Sequence, residues 1–132
     1  MIHSNELRIG NWVYNANYKN KFPTKVHGID EIGIDPQLEF EDIHCSIGYE
    51  SLLSNLEPIP LTEEILLKCG FVNIESKTVD ILKFFGGGIT VCYDKVDKYY
   101  YIKLHSNIEL KHLHQLQNLY FALTGEELKI EL

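Results

Sequence analysis

The chain has 132 residues, a formal net charge of −7 and a hydrophobic content of 45%. This length and apolar content suit one typical domain, or two small lobes, with a buried core. Arg8 is the only arginine and acids exceed bases, which argues against a protein that binds a phosphate backbone, because such proteins cluster Lys and Arg on one face. We therefore expect no nucleic-acid partner.

The three cysteines, Cys45, Cys69 and Cys92, show no CxxC spacing. This odd number favours free thiols in a reducing compartment over a disulfide framework. The N-terminal stretch MIHSNELRIGNW lacks the apolar run of a signal peptide, and nowhere are there about 18 consecutive apolar residues. We expect a cytoplasmic protein that does not span a membrane.

The first half of the chain carries β-like alternation in three segments: Leu7–Tyr14, Thr24–Ile34 and Leu38–Ile47. A bulge is expected at Gly10-Asn11 and a turn at Asp35-Pro36. The pattern predicts a small antiparallel β-subdomain over residues 1–56, in the form of an SH3-like half barrel. Ser51–Pro60 is interpreted as a connector, since Pro58 and Pro60 force an extended path.

Residues 57–132 are predicted to form a short helix, a β-meander and one long helix, either as a second domain or as part of one compact domain. Thr62 is placed to cap a helix over Glu63–Cys69, which Gly70 ends. Three strands follow, over Val79–Phe85, Ile89–Tyr93 and Tyr99–Leu104, with Gly86-Gly87-Gly88 interpreted as a hairpin turn. The tail Lys129–Leu132 is considered as an additional, final strand. The fold class predicted for the whole chain is α+β.

The long helix is predicted within Leu110–Leu128, with Gly125 as its C-terminal stop. Its apolar stripe, Leu113, Leu116, Tyr120 and Leu123, has helical spacing and is expected to pack on the meander. The remaining face is rich in uncharged polar residues: His112, His114, Gln115, Gln117 and Asn118. We interpret this polar face as a candidate surface for a ligand or partner.

A metal site is not expected in this helix. Residues two apart on a helix point about 200° apart, so His112 and His114 would not chelate one ion. The sequence has no HExxH motif and no Cys/His pair with zinc spacing. We therefore predict neither a metal nor a cofactor.

A thiol nucleophile is not expected at Cys45 either. His44 and Cys45 are predicted to point to opposite faces of a strand, so Cys45 lacks an adjacent base.

The tyrosines of the last predicted strand offer a second candidate surface. Tyr99 and Tyr101 lie on the face away from Ile102, where they either cover a second layer or form an exposed surface for a partner. A third candidate is the acidic group in the first half, interpreted either as a solvated sheet face or as a surface for a basic partner: Asp30, Glu31, Asp35, Glu39, Glu41 and Asp42.

Three segments together resemble uncharacterised small proteins of phages, prophages and other mobile elements of gut anaerobic bacteria. They are NELRIGNWVY at Asn5–Tyr14, EPIPLTEEILLKCGF at Glu57–Phe71 and HLHQLQNLYFALTGEEL at His112–Leu128. The resemblance implies a mobile-element setting, and it brings no established activity and no catalytic residue. In such a setting a small acidic protein often acts by binding a host protein or a small signalling molecule.

The sequence favours a non-catalytic protein-interaction module that binds a protein partner or its own copy as a homo-oligomer. The alternative is a protein that binds or sequesters a small ligand of nucleotide type and acts against host defence, with Tyr99, Tyr101, His114 and Gln117 around a pocket. An enzyme, such as a hydrolase with an unrecognised site, comes third, because no nucleophile stands beside an oriented base.

Overall fold

The computed structural model describes residues 2, 6–15, 21–29, 34–37, 56–104, 106–130 and 132. The chain divides into two compact units, Met1–Ile59 and Pro60–Leu132. The division falls three residues beyond the predicted boundary at residue 56. Each unit has its own antiparallel sheet, and both helices described lie in the second unit. The predicted α+β class is confirmed.

The sheet of the first unit has the strand order β3-β2-β1-β4. Its strands are β1 (Trp12–Asn15), β2 (Phe22–Ile29), β3 (Ile34–Gln37) and β4 (Leu56–Glu57). Apolar residues from the sheet and from the segment before it form one buried cluster: Ile2, Leu7, Val13, Val26 and Leu56. Alternation along β1 explains its part of the cluster, because Val13 is buried while Trp12 and Tyr14 are half-buried.

Several predictions for this unit are wrong in detail. The first strand begins at Trp12, because the chain turns at Gly10, whose φ of 95° leaves the extended region. Asp35 and Pro36 lie inside β3 instead of in a turn, which is possible because β3 is an edge strand. Leu56–Glu57, assigned to a connector, pairs with β1. The strand predicted over Leu38–Ile47 lies outside the described residues.

The sheet of the second unit is a five-stranded antiparallel meander, β5-β6-β7-β8-β9. Its strands are β5 (Val72–Ile74), β6 (Ile81–Gly86), β7 (Ile89–Asp94), β8 (Tyr99–Lys103) and β9 (Asn107–Leu110). The three predicted strands are confirmed as β6, β7 and β8, whereas β5 and β9 were not predicted. Among the described residues of the tail, none continues the sheet.

The glycine run is a tight hairpin turn, as predicted. Gly86 pairs with Ile89, and the two residues between them have φ of 59° at Gly87 and 83° at Gly88. Two successive positive φ values define the primed turn whose twist matches that of the flanking strands.

The short helix α1 (Glu63–Lys68) has the predicted caps. Thr62 Oγ1 accepts a hydrogen bond from the Ile65 backbone N–H at 3.2 Å, and Gly70 follows the C-terminal end with φ of 85°. The longer helix α2 (Leu113–Thr124) ends as predicted at Gly125, which has φ of 73°. It begins later than expected, because Leu110 belongs to β9 and His112 is the N-cap.

One side of the five-stranded sheet forms the core of the second unit. Cross-strand pairing places Phe84, Val91 and Ile102 on this side, and all three are buried. The helix α2 lies over the same side, since Leu123 and Thr124 line one cavity with Ile89 and Ile102. The N-cap of α1, Thr62, lines a cleft with Tyr93 and Tyr100 of the same side, so neither helix that the structure describes in this unit covers the other side.

The buried face of α2 differs from the predicted stripe. Leu113 and Leu116 are fully buried as expected, but Leu123 is 46% exposed. His114 and Gln117, placed by their polarity on the outer face, are each 1% exposed. The helix is therefore rotated toward its polar residues relative to the prediction.

Candidate functional site

The side of the five-stranded sheet that carries no helix of its unit is the candidate site, and we call it the open face. In an antiparallel sheet, directly paired residues project to the same side and residues two apart along a strand share it. Tyr101 pairs with Cys92, Cys92 with Lys83 and Lys83 with Ile74. The same rule assigns the remaining members of the open face: Val72, Ile81, Phe85, Thr90, Asp94, Tyr99, Lys103, Asn107 and Glu109.

Large apolar side chains on the open face are exposed where β5 meets β6. Val72 is 55% exposed, its direct partner Phe85 is 43% exposed and Ile74 is 37% exposed. Single exposed apolar residues are common on proteins and need no explanation. Three of them on adjacent strands of one sheet face form a contiguous patch, and such patches mark interaction sites.

The aromatic side chains on β8 continue the open face. The Tyr99 and Tyr101 rings lie 5.3 Å apart between centroids, with an interplanar angle of 34°. Tyr101 is only 7% exposed and its partner Cys92 only 8%, so these two residues offer much less accessible surface than Val72 on β5. Burial, then the neighbouring Cys92 thiol, raises the pKa of the Tyr101 phenol. The phenol therefore remains a neutral hydrogen-bonding group at physiological pH.

Charges of both signs occur on the open face. Lys83 and Lys103 contribute two positive charges, and Asp94 and Glu109 contribute two negative charges. The Asp94 carboxylate also accepts backbone hydrogen bonds from Val96 and Asp97 in the following turn, at 2.8 and 3.0 Å. The open face is therefore neutral overall on a chain whose net charge is −7.

His112 and His114 were predicted to point in nearly opposite directions from one helix, and the structure does not show this arrangement. His112 is the N-cap of α2 and has extended backbone angles, φ −132° and ψ 155°. The two residues are therefore not both on the helix, and their rings stack 5.6 Å apart with an interplanar angle of 7°. The described residues contain no group of three or more His, Cys, Asp or Glu side chains placed to hold a metal ion.

The polar residues of α2 separate into three environments. Gln115 Oε1 accepts hydrogen bonds from the backbone N–H groups of Lys111 and His112, at 2.8 and 3.0 Å, so this side chain caps the helix. Gln117 and His114 are buried, and Asn118 is half-buried. The structure thus does not bring these residues together as one exposed surface, and of the predicted site residues only Tyr99 and Tyr101 lie on the open face.

The described thiols show no nucleophilic site. Burial raises the pKa of the Cys69 thiol to about 12, so it stays protonated at neutral pH. Cys92 is buried and pairs directly with Tyr101 on the same side of the sheet. Cys45, with His44, lies outside the described residues. Among the helices described, none has the length and apolar character needed to cross a membrane.

No protein family, curated protein or solved structure matches the chain. The three exposed residues that mark the open face, Val72, Ile74 and Phe85, were not singled out from the sequence. The alternation V-N-I directly after Phe71 was the available signal, but three residues are too few to distinguish a strand from a loop by periodicity. Their exposure depends on which side of the sheet the helices cover.

Proposed function

We propose that this chain is a non-catalytic, cytoplasmic protein-interaction module and that the open face is its binding surface. The observation that carries the proposal is the exposed patch of Val72, Ile74 and Phe85 beside Tyr99 and Tyr101. Aromatic side chains are enriched in protein interfaces, whose fully buried centre is more apolar than the rest of the surface. The resemblance to mobile-element proteins supports a binding role in the same way, since small acidic proteins there often act by binding.

The partner that fits this surface best is a second copy of the chain. Two copies of an acidic protein repel each other across most of their surfaces, because each carries a net charge of −7. The open face is an exception, since Lys83 and Lys103 balance Asp94 and Glu109. A neutral surface with both signs of charge is compatible with a copy of itself, whereas a basic partner would prefer a surface with excess acid.

The shape of the open face also suits a two-fold pairing. A two-fold axis near the β5–β6 pair packs the exposed Val72, Ile74 and Phe85 of one copy against the same residues of the other. Five strands spaced about 4.8 Å apart and about 17 Å long give a plane of roughly 400 Å² per copy. Because interfaces below about 1,200 Å² in total are weak or transient, we expect a reversible dimer with low affinity.

Sedimentation equilibrium of the full chain and two matched variants tests this proposal. Phe85→Glu places an unpaired charge in the patch, and we expect it to raise the dissociation constant of the dimer by at least about tenfold. Val96→Glu changes a valine in the β7–β8 turn outside the open face, which is 68% accessible against 43% for Phe85. It adds the same charge and should leave the dissociation constant unchanged.

Circular dichroism establishes first that both variants are folded, which the exposure of Phe85 and Val96 makes the expected result. A protein that stays monomeric from about 10 µM to about 1 mM would refute self-association through this surface. If both variants weakened dimerisation equally, the effect would be due to net charge, and the proposal that the open face is the dimer interface would be refuted.

We also infer that the four-stranded sheet of the first unit is an SH3-like half barrel. The support is the eight-residue strand β2, which pairs with β1 on one side and β3 on the other and has a register shift between Val26 and Gly28. A register shift of this kind bends a strand and increases its twist, as a half barrel requires.

A further inference from the structure

A cleft in the second unit lies on the side of the sheet opposite the open face. Tyr93, Tyr100 and Leu110 form its floor, since Tyr93 pairs with Tyr100 and Tyr100 with Leu110. Leu61 forms a wall, held by a hydrogen bond of 3.0 Å from its backbone N–H to the Lys111 carbonyl. The cleft encloses about 420 Å³, which lies within the range of small-molecule sites.

The floor of the cleft presents aromatic rings to a ligand. Tyr93 and Tyr100 have ring centroids 4.6 Å apart with an interplanar angle of 38°, and both are half-buried. Burial, followed by electrostatic repulsion from Tyr93 and Glu63, raises the pKa of the Tyr100 phenol, so this group adds no charge at neutral pH. A neutral, partly desolvated aromatic floor favours stacking with a planar ring.

Three charged side chains line the rim of the cleft: Lys98, Lys111 and Glu109. The two ammonium groups face one carboxylate at the rim, and the Glu63 carboxylate acts on Tyr100 at the floor, so the charges around the cleft balance. Neither ammonium group is engaged in an ion pair with any residue that the structure describes. The rim can therefore accept an anion, while Glu109 can accept a hydrogen bond from a hydroxyl or amino group of the same ligand.

The backbone of Lys98 provides an independent observation at the same place. Its φ is 57°, and it is the only residue other than glycine with positive φ in the described part of the chain. Glycine or asparagine usually occupies this last position of a hairpin loop, because a side chain there is strained. A lysine in a strained conformation at the rim of an aromatic cleft is typical of a residue retained for binding.

We propose that this cleft binds a small molecule in which a planar ring carries an anionic group, of the nucleoside monophosphate class. The ring stacks on Tyr93 and Tyr100, the phosphate binds the Lys98 and Lys111 ammonium groups, and ribose hydroxyls or an exocyclic amine donate to Glu109. This site differs from the pocket that the sequence suggested around His114 and Gln117, both of which are buried elsewhere in the unit. Its floor lies on the side of the sheet opposite the open face, while Tyr99 and Glu109 belong to the open face and also line the cleft.

Titration of the isotope-labelled full chain with AMP, adenosine and inorganic phosphate, followed by NMR, tests the proposal. We expect AMP at up to about 5 mM to produce saturable shifts at the amides of Leu61, Tyr93 and Tyr100. Adenosine and phosphate alone should bind more weakly, because each makes only part of the contacts. Absence of saturable shifts at these amides would overturn the proposal, as would phosphate binding as tightly as AMP.

Three lysine variants separate the cleft from general electrostatic attraction. Lys98→Glu should weaken AMP binding by roughly tenfold or more, whereas Lys95→Glu, in the same hairpin loop but outside the cleft, should change it less than about twofold. Lys98→Gly suits the backbone conformation, so we expect a higher melting temperature together with weaker AMP binding. Unaltered AMP affinity in Lys98→Gly, or equal losses in the two Glu variants, would exclude Lys98 as a ligand contact.

Discussion

Gln115 binds backbone at the start of α2, although its residue type and position predicted a partner-binding role. Its Oε1 accepts from two N–H groups that the helix itself leaves unsatisfied. Gln115→Ala should therefore lower the free energy of unfolding by about 1 kcal/mol. Gln115→Glu keeps both acceptor contacts and adds a negative charge near the positive end of the helix dipole, so we expect no loss.

Urea denaturation of the three proteins at neutral pH measures these differences. The Glu variant is the informative control, because it preserves the capping geometry while changing the charge of the surface. Equal destabilisation by Ala and Glu would show that the amide group, and not the acceptor oxygen, matters at this position. An Ala variant as stable as the parent would mean that water replaces the cap without cost.

The spacing of this cap was present in the sequence. His112 and Gln115 stand three residues apart before an apolar run, which is the arrangement of a capping box with unusual residues. The prediction started the helix at Leu110, so both residues were assigned to its interior. Periodicity locates a helix well but not its first turn, since the residues before the N-cap can be equally apolar.

At the scale of elements, the hairpin between β6 and β7 is closed by two glycines with different environments. A Cβ atom on Gly87 would come within 2.6 Å of Tyr120 Cε2, and closer still to its hydroxyl, whereas a Cβ on Gly88 would meet nothing within 4 Å. Both residues have positive φ, so alanine at either position costs about 1 kcal/mol from backbone strain. Gly87→Ala should cost at least about 1 kcal/mol more, because Tyr120 must move.

Thermal and urea unfolding of Gly87→Ala and Gly88→Ala test this difference directly. Gly88→Ala serves as the matched control, since it carries the same strain without the contact to α2. Similar stabilities for the two variants would show that the Tyr120 side chain moves freely, and the hairpin would then not fix the position of the helix.

The positions of most strands and helices could be predicted from the sequence, whereas the face that each of them buries could not. Alternation and turn residues located β6, β7 and β8, because each strand is long enough to show a period and each is bounded by a loop. The three-residue β5 gave too little pattern. The burial of His114 and Gln117 could not be predicted either, because polarity assigns such residues to the outside and only the packed structure decides otherwise.

At the scale of the whole molecule, the second unit carries two surfaces on opposite sides of one sheet. Successive residues of a strand project to opposite sides. Tyr101 therefore lies on the open face, while its neighbour Tyr100 forms the floor of the cleft. The run of tyrosines was recognisable in the sequence, but its division between two sites required the register. The two surfaces meet at Tyr99 and Glu109, which belong to the open face and also line the cleft, although their centres lie on opposite sides of the sheet.

The free energy of unfolding should decrease at alkaline pH, because three groups of the second unit have raised pKa values in the folded chain. Burial raises the pKa of Cys69 from 9.0 to about 12, and burial also raises the pKa of Tyr100 and Tyr101 above 10.0. Each group is neutral when protonated, so the unfolded chain loses its proton at a lower pH than the folded chain. The stabilisation is complete below pH 9 and is lost as pH rises toward the folded pKa values.

Urea unfolding under reducing conditions at intervals from pH 7 to pH 11 provides the measurement. Between pH 9 and pH 10 the Cys69 thiol should dominate, with a slope that rises toward a limit of about 1.4 kcal/mol per pH unit, and the tyrosines should add to the decrease near and above pH 10. Cys69→Ala removes the first ionisation and should give a flatter profile between pH 9 and pH 10 while retaining the later decrease. A profile with the same slope in Cys69→Ala as in the parent would show that the thiol ionises without unfolding, which is incompatible with its burial at the end of α1.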